Sequence, residues 1–234
     1  MTPRADRRPA GAAEPSSIDA VILDVDGTVA TCPYDFDAMR AAVADVAAKW
    51  EMDAAALGIR GIIEQIAALA DQLGDRGPAF RAEAEQAVVA IEAAAARDAR
   101  LLPGAAAALN ALRARGVSVA LITRNCRTAA DIVLHGLADY DLLLTRDDVP
   151  RAKPDPDHVL RALDAVGASA DRAAVVGDHA FDMEAGRAAG ARLCLGVRTG
   201  TSSDESLLEA GAHAVIDSIA DLPAWLQRRG GPIS

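Results

Sequence analysis

Six short apolar runs, separated by Ala-rich stretches with helical spacing, limit what this chain can fold into more than any other feature. They are IDAVILDV, VSVALITRN, YDLLLTRDD, RAAVVGD, ARLCLGV and AHAVI. The first is β-branched and nearly continuous in apolar character, which suits a strand covered on both faces, as in a parallel sheet. The stretches PGAAAALNALRARG, CRTAADIVLHGL, DPDHVLRALDAVG, FDMEAGRAAG and SDESLLEAG read as helices between the later runs. Gly116 and Gly190 close two of them. Asp155 is placed as an N-cap, with Pro156 in the first turn behind it. SIADLPAWLQRR ends the chain as a further helix. Repeated β-α units predict an α/β fold, with a parallel sheet, right-handed crossovers and helices on both faces.

Residues 34–100 interrupt this alternation. RGIIEQIAALADQL has apolar residues three and four apart, and AFRAEAEQAVVAIEAAAARDARLL reads as one long helix after Gly77-Pro78. Three or four helices and no sheet are expected here. The chain is therefore divided into a disordered tail over 1–17, a Rossmann-like α/β core over 18–33 and 101–234, and a small all-α cap over 34–100, inserted after the first strand. The segments Cys32–Phe36 and Asp98–Pro103 are the expected hinges. Hydrophobic residues make up 51% of the chain but aromatics only 3%, so the core must be built from aliphatic side chains. A net charge of −10 with few aromatics argues against nucleic-acid binding. Cys32, Cys126 and Cys194 are too far apart in sequence to suggest a disulfide framework or a zinc site, and a reducing cytoplasm is expected. No apolar run is long enough to span a membrane. The first residues contain no apolar h-region and read as a tail rather than a signal peptide, with a cleaved targeting segment as the weaker alternative.

In parallel sheets of this kind, ligands bind beyond the carboxyl ends of the strands. The first strand ends in ILDVDGTVAT, with Asp24 and Asp26 one residue apart and Gly27 behind them. The second ends in Thr123-Arg124-Asn125, and the fourth in Gly177-Asp178, with Asp182 four residues on. Lys153-Pro154 lies in the loop after the third. Together these bring four carboxylates, a hydroxyl and an ammonium to one edge. Carboxylates so placed repel one another unless a cation sits among them. An all-oxygen set suits Mg²⁺, and Mg²⁺ with a lysine and a hydroxyl suits a phosphate group.

LDVDGTVA, LITRN, AKPDP and GDHAFDMEAG, in that order, resemble the motifs of the haloacid dehalogenase-like hydrolase superfamily, on its phosphoglycolate-phosphatase-like side with a helical cap. The resemblance runs from about Ile18 to the last strand. It implies a Mg²⁺-dependent phosphomonoester hydrolase acting on a small phosphorylated metabolite. Asp24 would be the nucleophile, forming an aspartyl-phosphate, and Asp26 the general acid and base. Thr123 would bind the phosphoryl oxygens, and Lys153 would neutralise the developing charge. Asp24, the backbone carbonyl of Asp26, and Asp178 would hold Mg²⁺, with Asp182 acting through water or by orienting Lys153. Thr28, Arg124, Asn125 and, from the cap, Arg60 are the substrate-binding candidates, and Thr28 would also help hold the turn.

Each residue has a plainer reading. Asp24 and Asp26 alone would be a solvated Asp-Gly turn, Thr123 a strand end, Lys153 surface charge, and Asp182 a helix-start carboxylate favoured by the dipole. Arg60 is the more ordinary as surface charge, His179 as a loop histidine, and Cys126 as a small buried residue. Two further activities remain open: a phosphomutase of the same family, and a non-catalytic binding protein on the same fold. A dehalogenase would not need Asp26 or the Mg²⁺ set. A phosphonatase needs a cap lysine, and nothing around Lys49, the one lysine there, suggests that role.

Overall fold

The computed structural model describes residues 18–59 and 61–229; the tail expected over 1–17 lies outside them. Strands β1 (Ala20–Asp24) and β2 (Ala30–Thr31) come first. Helices α1 (Phe36–Lys49), α2 (Ile62–Gln72) and α3 (Gly77–Ala96) follow, then β3 (Arg100–Leu101). The alternation resumes with α4 (Ala105–Arg113), β4 (Ser118–Ile122), α5 (Arg127–Val133), β5 (Leu142–Leu144) and α6 (Asp157–Ala165). It ends with β6 (Ala173–Gly177), α7 (Ala180–Ala188), β7 (Leu193–Val197), α8 (Asp204–Glu209), β8 (Ala214–Ile216) and α9 (Leu222–Arg229).

The six runs read from the sequence form one parallel sheet in the order β5-β4-β1-β6-β7-β8. β1 lies inside it and all five of its residues are buried, which is why its sequence is apolar on both phases. Val21 and Leu23 face a cluster with Ala108, Leu109 and Leu112 of α4, Val133 of α5 and Leu222 of α9. Ala20 and Ile22 face the opposite cluster, with Val159 and Leu163 of α6, Met183 of α7 and Leu207 of α8. Both layers are aliphatic, as the low aromatic content requires. No helix among the described residues is long and apolar enough to cross a membrane.

The helices α1–α3 have their own apolar cluster, built on Met39, Val43, Ile66, Leu69, Phe80 and Val88. Trp50 packs edge-on against Phe80 at 5.8 Å and donates its indole N–H to Glu83 at 2.9 Å. Two local expectations are corrected. The long helix does not run to Leu102: it stops at Ala96, and Arg100–Leu101 pairs antiparallel with Ala30–Thr31. The segments leaving and re-entering the core run side by side in opposite directions, and Leu102 N–H extends the pairing to Val29 O at 2.9 Å. Two-residue strands are too short to show a period. The helix after Lys153 begins at Asp157, so Pro156 sits at its boundary and Asp155 caps from one residue further out, accepting from Asp157 N–H at 2.9 Å.

One buried ion pair ties the insert to the sheet domain. Arg146, in the 3-10 turn after β5, holds Glu92 of α3 through two bonds of 2.5 and 2.8 Å, with both side chains under a tenth exposed. Arg146 also donates to Arg124 O at 3.0 Å. Removing one partner of such a pair leaves a buried charge alone, at a cost of about 3–5 kcal/mol. Glu92→Ala should lose about that much in urea unfolding. The double variant Glu92→Leu/Arg146→Met should regain most of it.

Candidate active site

β1 delivers Asp24 at its last residue, and the chain then turns sharply. Val29 and Ala30 both donate to Val25 O at 2.9 Å, and Gly27 N–H donates to Ala30 O at 2.7 Å. Gly27 has φ of +85°, and a Cβ there would lie 2.7 Å from the Asp178 carboxyl. Only glycine meets both demands. β4 brings Thr123 alongside, because Asp24 is in register with Ile122. β6 brings Asp178 from the other side, with Leu23 in register with Val176. Asp182 is the third residue of α7, where its Oδ2 accepts from His179 N–H at 3.0 Å. Lys153 comes from the loop between β5 and α6.

These groups meet. Lys153 Nζ is buried and donates to Asp24 Oδ1 at 2.5 Å, to Asp182 Oδ1 at 2.6 Å and to Ile122 O at 3.4 Å. Burial works against the Lys153 charge, but Asp182 and Asp24 outweigh it, and its pKa ends above the usual lysine value. Asp26 turns to the other side of the pocket. Its Oδ2 accepts from Thr123 Oγ1 at 3.2 Å and from Asn125 Nδ2 at 2.5 Å. Burial raises the Asp26 pKa to about 6, opposed by the Thr123 bond and by Lys153. Burial also raises Asp24 well above the usual range, against the pull of Lys153, with Asp182 and Asp178 adding to the rise. Asp178 is raised by burial and by Asp182.

Asp24, Asp178 and Asp182 each bring a carboxylate oxygen within 4.8 Å of the others. Asp24 Oδ2 is buried with no hydrogen-bond partner. An orphaned carboxylate oxygen beside two further buried carboxylates suits a hard cation such as Mg²⁺. Asp182 already uses one oxygen on Lys153 and the other on His179 N–H. Asp24 and Asp178 are thus the better placed to ligate, and Asp182 to fix Lys153.

A cavity of about 680 Å³ opens above this floor. Its far wall comes from the insert and its linker and includes Tyr34, Phe36, Met39, Arg40 and Ile62. Arg124 lines it too. Its guanidinium bonds Glu64 of α2 at 2.6 Å and lies 4.8 Å from the centre of the Phe181 ring. Asn125 is committed to Asp26 and to Tyr34 OH. Thr28 is corrected: it is fully buried and off the cavity wall, because the turn carries its side chain inward. Arg60 lies outside the described residues. Cys126 is buried, its thiol raised to about 11 chiefly by burial, as fits a small core residue.

Sequence reasoning missed the end of β7. Thr201 N–H donates to Asp178 Oδ2 at 3.0 Å, and Thr199 Oγ1 donates to Gly27 O at 2.5 Å. Between them, a Cβ on Gly200 would fall 1.8 Å from Asp178 Oδ2. The signal was there: a glycine flanked by hydroxyls past the fifth run. Tyr34 was also missed, since an aromatic in a linker carries no pattern.

A family model described as haloacid dehalogenase-like hydrolase matches residues 18–190. The chain belongs to the haloacid dehalogenase-like hydrolases. The plasmid phosphoglycolate phosphatase of Cupriavidus necator is 33% identical over 218 residues, covering 88% of this chain and 92% of that protein. A beta-phosphoglucomutase of Mycobacterium bovis is 30% identical over 131 residues, 53% of this chain and 50% of that protein. Among solved structures, a hydrolase of the same family from Deinococcus radiodurans, with bound phosphate and sodium, is 25% identical. It covers 92% of this chain and 97% of its own, with a TM-score of 0.60. A hydrolase from Pseudomonas syringae has the same fold, with a TM-score of 0.64 at 24% identity over 91% of this chain and 100% of its own. Within the family the chain falls on the phosphoglycolate-phosphatase-like side, and it is an enzyme of the phosphatase class.

The raised pKa values of Asp24 and Asp178 mean that their charges weigh on the metal-free fold. Asp178→Asn, which keeps an acceptor for Thr201 N–H, should melt a few degrees above wild type when Mg²⁺ is chelated. Mg²⁺ at a hundredfold excess over its Kd should stabilise wild type by about 2.7 kcal/mol, or roughly 5–10 °C for a chain of this size. Asp178→Asn and Gly200→Ala should both lose that shift in a thermal melt.

Proposed function

We propose that the protein is a Mg²⁺-dependent phosphomonoester hydrolase acting on a small phosphorylated metabolite through an aspartyl-phosphate on Asp24. The observation that carries this reading is the buried lysine between two carboxylates. Lys153 holds one oxygen of Asp24 while the other has no protein partner, so the nucleophile is oriented but not occupied. The bound phosphate in the Deinococcus relative supports it.

The carboxylate of Asp24 forms the bond to phosphorus, and the bond from phosphorus to the leaving oxygen breaks with its electron pair. Asp26 gives that oxygen its proton. A pKa near 6 suits a group that must carry a proton close to neutral pH and then take one back. Water next attacks phosphorus, the Asp24 oxygen departs, and Asp26 receives the proton of the water. Lys153 offsets the charge that gathers on the phosphoryl oxygens and on Asp24, and the Thr123 hydroxyl, whose single proton goes to Asp26 Oδ2 without substrate, turns to donate to them. Mg²⁺, when bound by Asp24, Asp178 and the backbone carbonyl of Asp26, would supply further positive charge to the phosphoryl oxygens. The helical insert acts as the cap that keeps bulk water out and selects the leaving group. Arg124 serves on the cavity wall, and Asn125 acts on Asp26 rather than on the substrate.

The test is a metabolite panel headed by phosphoglycolate, assayed with Mg²⁺ and again with chelator. Release of free phosphate that stops on chelation is expected, and Asp24→Asn should be folded with no turnover. Asp24→Asn hydrolysing at the wild-type rate would overturn the assignment. The likeness to a beta-phosphoglucomutase sets the second reading. A hexose 1-phosphate converted to its 6-phosphate without loss of phosphate would establish it instead.

A further inference from the structure

The orientation of Asp26 depends on a residue outside the sheet domain. One nitrogen, Asn125 Nδ2, donates to Asp26 Oδ2 at 2.5 Å and to Tyr34 OH at 2.7 Å. A primary amide nitrogen has two protons, so both are used. Asn125 is fixed at the backbone as well, since its N–H donates to Thr123 Oγ1 at 3.1 Å. Thr123 in turn bonds the same Asp26 oxygen. Tyr34 sits between β2 and α1, where the chain leaves for the insert, and its ring packs at 6.2 Å from that of Phe36. Burial holds its phenol well above the usual tyrosine pKa, so it accepts from Asn125 as a neutral group. Asp26 Oδ1 is buried without a partner, so the whole hold on this carboxylate is on one oxygen.

We propose that Tyr34 and Asn125 are positioning residues that hold Asp26 in the orientation from which it gives its proton to the leaving oxygen. Tyr34 fixes the amide, the amide fixes the carboxylate through Oδ2, and Oδ1 is left without a protein partner to hold its proton. This rests on the role of Asp26 set out above. The arrangement links the entrance of the insert to proton delivery.

A departing alkoxide needs that proton, whereas p-nitrophenolate leaves without it. kcat/KM reports only the steps up to departure of the leaving group, so it isolates this one transfer. On phosphoglycolate or the alkyl phosphate turned over best in the panel, Asn125→Ala should lower kcat/KM about a hundredfold, the lower end of what general acid catalysis contributes, and Tyr34→Phe, one bond further away, about tenfold. Both variants should stay within about twofold of wild type on p-nitrophenyl phosphate, and Tyr34→Phe should add nothing in the Asn125→Ala background. Thermal melts check that each variant is folded. Equal losses on both esters would mean that the two residues only support the fold or the insert, and would overturn the proposal. So would an unchanged alkyl rate. A wild-type enzyme that hydrolyses neither ester would instead sink the phosphatase reading, and this inference with it.

Discussion

The Lys153 ammonium is what lets this sheet edge exist. Three buried carboxylates lie within reach of one another, and like charges so close in a low dielectric repel strongly. Lys153 sits between two of them, buried itself, and is held additionally by the Ile122 carbonyl at the end of β4. Asp182 is steadied in turn by His179 N–H at the first turn of α7, where the helix dipole favours an anion. One cation therefore connects β1, β4 and α7. A guanidinium would not substitute, because its planar fork is larger and its donors diverge, whereas the ammonium is a compact point charge.

The register of the sheet makes this meeting inevitable. Asp24 pairs with Ile122 and Leu23 with Val176, so Thr123 and Asp178 both emerge just past the level of Asp24 on either side of it. The approach is close enough that ordinary side chains are excluded. A Cβ on Gly177 would lie 2.2 Å from the Asp182 carboxyl, and those on Gly27 and Gly200 would strike Asp178. The missing side chains are as much a part of the site as the carboxylates.

The same logic explains what was legible in the sequence. The inner strands could be read because burial on both faces leaves a continuous apolar run, and the edge strands β5 and β8 because even half-buried they keep apolar triplets. Asp24, Thr123 and Asp178 could be read because they stand at the ends of such runs, with Lys153 and Asp182 in the segments that follow. The β2–β3 ribbon could not, since two residues make no pattern. Glu92 and Arg146 look like ordinary helix and loop charges, and only the fold brings residues 54 apart into one buried pair. Asn125 could be read only as a neighbour of Thr123 and a substrate-binding candidate; its bonds to Asp26 and Tyr34, 99 and 91 residues away, leave no spacing to find. Thr28 was expected at the substrate because it follows the Asp-Gly pair, but it is fully buried and does not line the cavity.

The contacts between insert and sheet domain differ in what it costs to break them. Arg146 and Glu92 are buried, joined by two bonds, and sit beside the segments that carry the chain in and out. Parting them strands charges away from water, which costs several kcal/mol. Arg124 and Glu64 meet at the cavity wall, with Glu64 nearly half exposed, and pairs of that kind contribute about 0–1 kcal/mol. Separating the insert at the cavity side is therefore cheap, and separating it at its base is not. The energetics favour a pivot near the β2–β3 ribbon. Tyr34 stands between that ribbon and α1, so its bond to Asn125 lies at the base of the insert, on the side that is costly to part.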